Sequence, residues 1–378
     1  MIAAQLLTEL QSYGLRLESM NDAGGRIGGA GPTDHKAVRI GETTVMVPVH
    51  NIASARSPYS AGIPDALGIA QIFKNDIYIG EVLFPRRAKF YDQFTSDGVP
   101  FWKIAQLHSH NVLATTVLQN CIRYGNKDTS CQFCAIGESL KNNMTISYKR
   151  PFQLAEVAKA AVELDGVEQF VITTGTPSTS DRGAKVLYES VMAIKASVDI
   201  PIQVQCEPPA DFKWFRLLKE AGADNLGMHL EAADEEVRKR IMPGKAEVSV
   251  AYYMEAFEAA VEVFGRGHVS TYLLAGLGDS EETLINISTK LIALGVYPFI
   301  VPFVPVKGTP LENYRTPDKD FMQRVLSKVG SMLAEAEITS DKAKAGCAKC
   351  GACSTLKGFE KKNAEMELFT NKFYRHDY

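Results

Sequence analysis

The sequence predicts an α/β protein centred on a partial (β/α)6 TIM-like barrel, with a small β-containing N-terminal region and a cysteine-rich C-terminal extension. From residue 112 onward, six nearly continuous apolar runs alternate with amphipathic helices, a pattern typical of a parallel sheet covered by helices. No glycine-rich dinucleotide fingerprint marks the switch point of an open sheet. Polar or glycine-rich stretches follow the apolar runs, which fits loops that form the mouth of a barrel.

The N-terminal region, residues 1–105, is predicted to contain a helix and short strands. An apolar residue every three or four positions indicates the helix, and runs bounded by turn residues indicate the strands. A glycine-rich segment lacks the spacing of a phosphate loop or dinucleotide fingerprint and fits a connection. In chain order, the predicted elements are the helix at 3–18, the connection at 24–32, and strands within 36–50 and 69–85 that turn at Gly41-Glu42 and Asn75-Asp76.

The barrel is predicted to span residues 106–315, and residues 316–378 form the C-terminal extension. Because the carboxyl ends of barrel strands face one mouth, the loops after the predicted strands should converge there. The predicted strands are 112–119, 168–175, 201–207, 224–232, 267–278 and 297–306, and the predicted helices are 152–164, 184–197, 211–222, 250–265 and 280–295.

The composition is that of an ordinary globular protein. Of the 378 residues, 46% are apolar and 22% charged, and the formal net charge is -3. This charge gives no reason to expect a nucleic acid or an anionic membrane as a partner. The sequence contains no apolar stretch long enough to span a bilayer, and its N-terminus lacks the apolar run of a signal peptide. We therefore expect a cytoplasmic protein.

Three of the seven cysteines lie close together after the first barrel strand. Cys121, Cys131 and Cys134 share a segment rich in Gly, Asn, Asp, Thr and Ser, which favours an irregular loop. A structural zinc site needs four protein ligands, whereas three cysteines suit a four-iron cluster whose last iron is open to a small molecule. Ordinary buried thiols are the alternative, but they explain three clustered cysteines in a polar loop poorly.

A second triplet, Cys347, Cys350 and Cys353, lies in the C-terminal extension. Glycine and alanine spacers let a backbone fold closely around a metal centre, so we expect an auxiliary iron-sulfur cluster here, with a zinc site as the rival. Cys206 stands alone at the end of the third predicted strand. It is either a core residue or a further ligand.

A cysteine triplet after the first strand of such a barrel resembles the radical S-adenosylmethionine (radical SAM) superfamily. The usual spacing there is C-x3-C-x2-C, whereas this chain has C-x9-C-x2-C. The resemblance implies that Cys121, Cys131 and Cys134 bind a [4Fe-4S] cluster. At that cluster S-adenosylmethionine (SAM) is reductively cleaved to a 5'-deoxyadenosyl radical. The aromatic position before the last cysteine is Phe133, which the resemblance places near the adenine of SAM.

Within that superfamily, the local match is to biotin synthase, through residues 221–236, 273–282 and 304–312. The whole chain resembles the biotin-synthase-like radical SAM proteins of nitrilase-containing gene clusters, and it is also similar to two-component lipoyl synthases. The match implies that His229 and Glu231 hold the ribose hydroxyls of SAM. It also implies that Thr174, Gly175 and Thr176 hold its methionine end.

Each of these side chains also has a simpler interpretation. His229 is alternatively a core histidine, and Glu231 a solvated carboxylate at a helix start. Arg240 and Lys245 either pair with the SAM carboxylate or an acidic substrate, or occupy an exposed helix end.

Three functions remain open at this point. A sulfur-inserting enzyme would abstract hydrogen from a small substrate and take sulfur from the auxiliary cluster. A second possibility is rearrangement, fragmentation or oxidation of a small amino-acid-like substrate in nitrile-related metabolism, with the auxiliary cluster conducting electrons or anchoring substrate. A third is a non-catalytic metal scaffold that binds a partner protein. Either enzyme would need a low-potential electron donor of the flavodoxin or ferredoxin type.

Overall fold

The structure, a computed structural model, describes residues 3–18, 35–41, 43–49 and 52–360. Within these residues the chain forms two sheets, one of six strands in the N-terminal region and one of seven strands in the barrel. The elements of the N-terminal region are α1 (Ala3–Tyr13), β1 (Arg16–Leu17), β2 (His35–Ile40), β3 (Thr43–Pro48), α2 (Ile52–Ala55), β4 (Tyr59–Ala61), β5 (Ile69–Lys74), β6 (Ile77–Leu83), a 3-10 helix at Lys89–Asp92 and α3 (Phe101–Ile104).

The remaining elements build the barrel and the C-terminal extension. The barrel strands are β7 (Gln106–His108), β8 (Val112–Thr116), β9 (Gln169–Thr173), β10 (Ile202–Gln205), β11 (Asn225–Gly227), β12 (Val269–Ala275) and β13 (Val296–Pro302). The helices are α4 (Glu138–Lys141), α5 (Pro151–Asp165), α6 (Ala184–Ser197), α7 (Lys213–Glu220), α8 (Glu235–Ile241), α9 (Pro243–Ala246), α10 (Val250–Phe264), α11 (Glu281–Leu294), α12 (Lys319–Glu335) and α13 (Cys347–Cys350), and 3-10 helices occupy Ser340–Lys342 and Leu356–Phe359.

The barrel sheet has the parallel order that the sequence predicts. Strands β8 to β13 pair with their sequence neighbours, all in parallel. The longest register joins Val269–Ala275 of β12 to Val296–Pro302 of β13. The sheet curls into a partial TIM-like barrel, so the carboxyl ends of six neighbouring strands face the same way.

Two parts of this sheet differ from the prediction. Strand β7 adds an antiparallel edge that the sequence analysis missed, because a three-residue strand in a tight hairpin with β8 gives a weak sequence pattern. Strand β11 ends at Gly227, although the apolar run continues to residue 232. Beyond Gly227 the chain leaves the ladder and rejoins it in a single bridge between Glu231 and Leu273.

The N-terminal sheet has the order β1-β4-β5-β6-β2-β3. The predicted turn at Asn75-Asp76 is confirmed, because both residues have positive φ angles, 50° and 64°, as a two-residue hairpin turn requires. The predicted helix over 3–18 is too long. It ends at Tyr13 because Gly14 has φ +77°, and a Cβ there would lie 2.7 Å from the carbonyl oxygen of Pro48.

Apolar side chains of the described residues form a large cluster centred on the barrel, a smaller one in the N-terminal sheet and a third around α8. The large cluster also contains Phe90 and Phe101 of the N-terminal region, so the two regions share a core. The C-terminal extension does not fold apart from the barrel, because Ala348, Ala352 and Leu356 belong to the barrel core. The glycine-rich connection at 24–32 lies outside the described residues, as do residues 361–378. Every helix of the described chain is too short or too polar to cross a lipid bilayer.

Candidate active site

The loop after β8 carries the first cysteine triplet and is held by backbone contacts from several directions. Within the loop, the amide of Cys134 donates to the carbonyl of Cys131 at 3.1 Å, a turn that brings the two residues together. The amide of Gln132 donates to the carbonyl of Ile241 at 2.8 Å, and its carbonyl accepts from the amide of Leu311. The loop tip is therefore fixed between the end of α8 and the segment that follows β13.

The surroundings of Cys131 and Cys134 favour neutral thiols. Burial raises the pKa of Cys131 to about 12 and that of Cys134 to about 11. The nearby Cys121 also raises the pKa of Cys134, whereas the Lys245 ammonium opposes both shifts. Because iron binds the thiolate, assembly of a centre here releases protons that the protein alone would retain.

A cavity of about 380 Å³ occupies the inside of the barrel and reaches both cysteine triplets. We call it the central cavity. Phe133 and Cys134 line it near the carboxyl ends of the strands, and Cys347, Cys350 and Cys353 line it on the side of the N-terminal sheet. The other side chains in its lining that are used below are Gln11, His35, Met46, His108, Thr174, Gln205, His229, Glu231 and Tyr272.

Glu231 is buried at the wall of the central cavity, in a backbone conformation that side chains rarely adopt. Its φ is +70° and its exposed fraction is 8%. Such a conformation costs on the order of 1 kcal/mol or more and occurs most often at functional sites. The Nζ of Lys245 lies 3.2 Å from its Oε1. Glu231 is therefore a buried, ion-paired carboxylate, and the interpretation as a solvated helix-start residue is wrong.

Lys245 is a buried cation next to Glu231. Burial acts to lower its pKa, but neighbouring groups, above all Glu231 and then Tyr253 and Glu207, raise it above the usual value. The ammonium therefore stays charged at neutral pH. The Arg240 guanidinium donates to the carbonyl of Leu277 at 3.3 Å. Neither cation lines the central cavity, but Lys245 is close enough to Cys131 and Cys134 to affect the pKa of both thiols.

His229 is half-buried and lines the central cavity. Its Nδ1 accepts a hydrogen bond from the amide of Tyr272 at 3.3 Å, and its carbonyl accepts from the Tyr253 hydroxyl at 3.1 Å. Burial lowers the pKa of His229 to about 4, so the ring is neutral at pH 7. Because Nδ1 is an acceptor, the proton resides on Nε2.

The segment Thr174 to Thr176 packs against the start of the cysteine loop. A Cβ at Gly175 would lie 1.8 Å from the carbonyl oxygen of Asn120, so only glycine permits this close approach. The amide of Ile122 donates to the carbonyl of Thr176 at 2.9 Å. Among the three predicted residues, Thr174 reaches the central cavity, and Gly175 and Thr176 position the loop.

A buried ion pair between Arg123 and Glu207 was not foreseen from the sequence. The Thr176 hydroxyl donates to Glu207 Oε1 at 2.7 Å, so the ends of β9 and β10 are tied to the cysteine loop. The other oxygen, Oε2, is buried and has no hydrogen-bond partner among the described residues. One feature of the sequence could have indicated it: Glu207 is a charged residue directly after a buried strand, in QCEPP, where barrel strands carry functional side chains.

The second triplet is bound inside the barrel by amide side chains that project from the strands. The bonds that hold residues 345–347 are from Ala345 N to Asn225 Oδ1 (3.0 Å), Gly346 N to Gln169 Oε1 (2.6 Å), Cys347 N to Gln203 Oε1 (3.0 Å) and Gln205 Nε2 to Cys347 Sγ (3.0 Å). Burial raises the pKa of Cys347 to about 12. Cys347 and Cys350 then stand one turn apart on α13.

The N-terminal sheet covers this triplet from outside the barrel. The amide of Met46 donates to the carbonyl of Ala352 at 2.7 Å, and the Gln11 side chain donates to both Met46 and Ala352 carbonyls. The hydroxyls of Thr8 and Thr355 are hydrogen-bonded at 2.7 Å. Cys206 packs in the barrel core, and unlike Cys134 and the second triplet it does not line the central cavity.

Comparison with families of known proteins matches residues 123–291 to the Radical SAM superfamily. The chain contains a radical SAM domain. Among curated proteins it is similar to the bacteriochlorophyllide c C-7(1)-hydroxylase of Chlorobaculum limnaeum, with 28% identity over 233 residues, 55% of this chain and 56% of that protein. It is also similar to the biotin synthase of Acetivibrio thermocellus, with 24% identity over 208 residues, 54% of this chain and 62% of that enzyme.

The chain thus spans little more than half the length of these two curated relatives. Among solved structures, a crystal structure of methylornithine synthase matches with a TM-score of 0.44 and 19% identity, covering 57% of this chain and 61% of that chain.

A radical SAM domain implies a [4Fe-4S] cluster and SAM, and the residues of the first triplet fit both. Cys121, Cys131 and Cys134 are free thiols on one loop, and Cys134 lines the central cavity. The Lys245 ammonium and the unpartnered Oε2 of Glu207 lie close enough to influence Cys131 electrostatically. A cation and a carboxylate beside the cluster loop are what the zwitterionic end of an amino acid requires.

Proposed function

We propose that this protein is a radical SAM enzyme that inserts sulfur into a small substrate bound between the two cysteine triplets. The observation that carries the proposal is that Cys134 and all three cysteines of the second triplet line one cavity. Cys121, Cys131 and Cys134 would hold the cluster that gives one electron to SAM, and the resulting 5'-deoxyadenosyl radical would take a hydrogen atom from a substrate C–H bond. Cys347, Cys350 and Cys353 would hold the auxiliary cluster whose sulfur bonds to that carbon, with the cluster iron accepting the electron.

The proposed SAM site uses side chains on both sides of the first triplet. Lys245 has three hydrogens, so it can bind the SAM carboxylate while it keeps its bond to Glu231, and Glu207 Oε2 accepts from the amino group. Phe133 contacts the adenine, and Thr174 borders the methionine chain. Because Lys245 is close enough to Cys131 to affect its pKa, we assign the binding of the SAM carboxylate to Lys245 and not to Arg240.

The ribose hydroxyls are assigned to His229 and Glu231. The carboxylate accepts hydrogen bonds from vicinal hydroxyls, and the Nε2–H of the neutral imidazole donates one. Both residues line the cavity. These residues thereby orient the nucleoside above the cavity in which substrate binds.

The central cavity suits a small substrate with an extended apolar part. Its lining is mostly carbon, with Val171, Leu274 and Val301 among its walls. Such walls exclude water, which protects a radical from side reactions. A flavodoxin- or ferredoxin-type donor in the cytoplasm supplies electrons in this proposal.

A second candidate function is radical oxidation or rearrangement of a small amino-acid-like substrate, with the auxiliary cluster conducting electrons. It is supported by the similarity to a hydroxylase over 55% of the chain. The two functions differ in the fate of the sulfur of the auxiliary cluster, which enters the product only in the first.

The first experiment tests radical initiation. The anaerobically reconstituted protein, incubated with SAM and dithionite, is expected to form 5'-deoxyadenosine, which is measured by chromatography. Cys131→Ala should reduce this to background, whereas Cys206→Ala should retain it because Cys206 is a core residue away from the cavity. A fully iron-loaded wild type that forms no 5'-deoxyadenosine would indicate the non-catalytic scaffold.

The second experiment tests sulfur insertion. Protein reconstituted with heavy-isotope sulfide is incubated with SAM, dithionite and a small-molecule extract of cells. Mass spectrometry should detect a new compound that carries the isotope, and Cys350→Ala should not form it. A SAM-dependent product that lacks the label would overturn sulfur insertion and support oxidation or rearrangement.

A further inference from the structure

The tight turn between β7 and β8 brings two ligand-type side chains to the second cysteine triplet. His108 is the last residue of β7, and Ser109 follows it in the turn. The Nε2 of His108 lies 3.4 Å from the sulfur of Cys353, and the hydroxyl oxygen of Ser109 lies 3.7 Å from that of Cys350. His108 and Cys353 are both buried, and both line the central cavity.

One metal ion can bind both the Nε2 of His108 and the sulfur of Cys353, the closer of the two pairs. Bonds of about 2.3 Å to sulfur and about 2.0 Å to nitrogen span a separation of 3.4 Å. Cys347 and Cys350, one helical turn apart on α13, remain available for further iron. Within the described residues, no group of three or more His, Cys, Asp or Glu side chains is arranged to hold a single metal ion. A cluster with more than one iron holds its ligands farther apart than a single ion does.

The polar neighbours of the triplet differ in their capacity to bind iron. The Tyr272 hydroxyl is hydrogen-bonded to Cys347, and burial raises the pKa of Tyr272, which opposes the loss of the proton that iron binding requires. The neutral imidazole of His108 has a lone pair without first losing a proton, and histidine is a common metal ligand. The Ser109 hydroxyl must lose a proton to become a good ligand. The Gln205 amide donates a hydrogen bond to Cys347, so it stabilises a sulfur and does not bind iron with that nitrogen.

The turn is held rigidly in a strained conformation. Ser109 has φ +60°, unusual for a residue other than glycine. His110 Nδ1 is hydrogen-bonded to Thr44 Oγ1 at 3.2 Å, which attaches the turn to β3 of the N-terminal sheet. The amide of Glu168 donates to the carbonyl of Asn111 at 2.9 Å. Backbone strain that surrounding contacts maintain is a recognised mark of functional positions.

We propose that His108 is the fourth protein ligand of the auxiliary cluster bound by Cys347, Cys350 and Cys353. This inference rests on the proposed function, since it requires a cluster at the second triplet. With four protein ligands, the cluster has no vacant coordination position for anchoring substrate. A neutral imidazole in place of a thiolate makes the centre less negative, so its reduction potential is higher than that of an all-cysteine centre.

The test uses the double variant Cys131→Ala/Cys134→Ala, called the parent, so that only the second triplet can hold iron. The reconstituted and reduced parent is measured by pulsed electron paramagnetic resonance, which detects nitrogen bonded to iron. We expect a strong histidine-nitrogen coupling in the parent. His108→Cys, added to the parent, should keep the iron, lose the coupling and lower the reduction potential.

Matched variants of the parent control for disturbance of the cavity. Ser109→Ala changes the same turn without removing an imidazole, and it should retain the coupling. His35→Gln and His229→Gln remove the other two imidazoles that line the central cavity in the described structure, and they should retain it as well. If His108→Cys fails to fold, His108→Gln in the parent replaces it and should likewise lose the coupling, while these two variants exclude the other imidazoles of the cavity lining.

The outcomes separate this inference from the function on which it rests. If the parent binds iron but shows no nitrogen coupling, the assignment of His108 as a ligand is overturned, and the proposed auxiliary cluster is not contradicted. Coupling that persists in His108→Cys, or disappears in His35→Gln or His229→Gln, also overturns it. A parent that binds no iron overturns both the auxiliary cluster and its fourth ligand.

Discussion

Lys245 and Glu231 form a buried ion pair, with 3.2 Å between Nζ and Oε1, at the wall of the central cavity. Their side chains are only 10% and 11% exposed. A pair this well buried is costly to break by removing one partner, because the other charge is left in a poorly solvated place. The pair therefore fixes a cation and a carboxylate in position before any ligand binds.

Removing the carboxylate of this pair should weaken SAM binding. For Glu231→Gln we expect the dissociation constant of SAM to rise at least tenfold, or about 1.4 kcal/mol, because an amide accepts fewer hydrogen bonds from the ribose and leaves Lys245 unpaired. Equilibrium dialysis with the iron-loaded protein measures it. Glu236→Gln is the matched control, since that residue forms an exposed pair with Lys239. Equal SAM affinity in both variants would contradict the ribose assignment.

Substitution of Gly175 should disturb the cysteine loop even though Gly175 carries no side chain. A Cβ there would lie 1.8 Å from the carbonyl oxygen of Asn120, so Gly175→Ala must displace backbone beside Cys121. We expect a loss of roughly 2 kcal/mol or more in the free energy of unfolding, together with less iron bound at the first triplet. Urea unfolding and iron analysis measure these effects.

Gly62→Ala is the control for that substitution. A Cβ at Gly62 would meet its nearest neighbour at an ordinary 3.7 Å, so its unfolding free energy should stay within about 0.5 kcal/mol of the wild type. If Gly175→Ala behaved in the same way, the close approach to Asn120 would have no structural importance.

The amides inside the barrel should hold the second triplet in place. Gln203→Ala removes the acceptor of the Cys347 amide and leaves that buried amide without its partner, which costs about 1–3 kcal/mol. We expect faster hydrogen exchange in residues 345–350 and easier proteolysis there. Gln71→Ala, on the exposed face of β5, should change neither. Unaltered exchange in Gln203→Ala would show that packing alone retains the segment.

The buried Lys149 should make stability depend on pH. Its Nζ donates to the carbonyl of Thr116 at 2.6 Å, and burial lowers its pKa to about 7 from 10.5. Between these values the unfolded chain binds the proton and the folded chain does not, so stability rises with pH across this window. Below about pH 7 both states are protonated and the contribution is constant.

The pH dependence of stability is tested against the variant Lys149→Met, which keeps the approximate length of the side chain without its charge. From pH 7.5 to pH 9, the unfolding free energy of the wild type should rise relative to the variant by about 1.4 kcal/mol per pH unit. Urea titrations at several pH values measure it. Parallel pH profiles would mean that the ammonium of Lys149 is charged in the folded protein.

The sequence was sufficient for the features that depend on local pattern. Alternating apolar runs predicted the parallel barrel strands, and the polar composition around Cys131 predicted an irregular loop after β8. The spacing of Cys347, Cys350 and Cys353 indicated a compact group, because residues so close in sequence cannot be far apart in space. Their proximity to one another is therefore a local property.

Features that depend on distant pairs were missed. Gln203 and Asn225 lie on short buried strands, where single polar residues look like interruptions of an apolar run, so their role in binding residues 345–347 was not recognised. The same holds for Arg123 and Glu207, which are separated by most of two βα units. That the two triplets share a cavity depends on how the extension threads into the barrel, which periodicity does not encode.

The contact between Ala352 and Met46 has a practical consequence for anyone who seeks a minimal catalytic unit. Removing the N-terminal region while keeping the C-terminal extension would remove β3 and Gln11, whose hydrogen bonds cover the Cys347–Cys353 segment. The thiols of that segment would then be more exposed to dissolved oxygen, and the oxidation of cysteine increases with its exposure. We therefore expect a protein shortened in this way to need stricter anaerobic handling than the full chain.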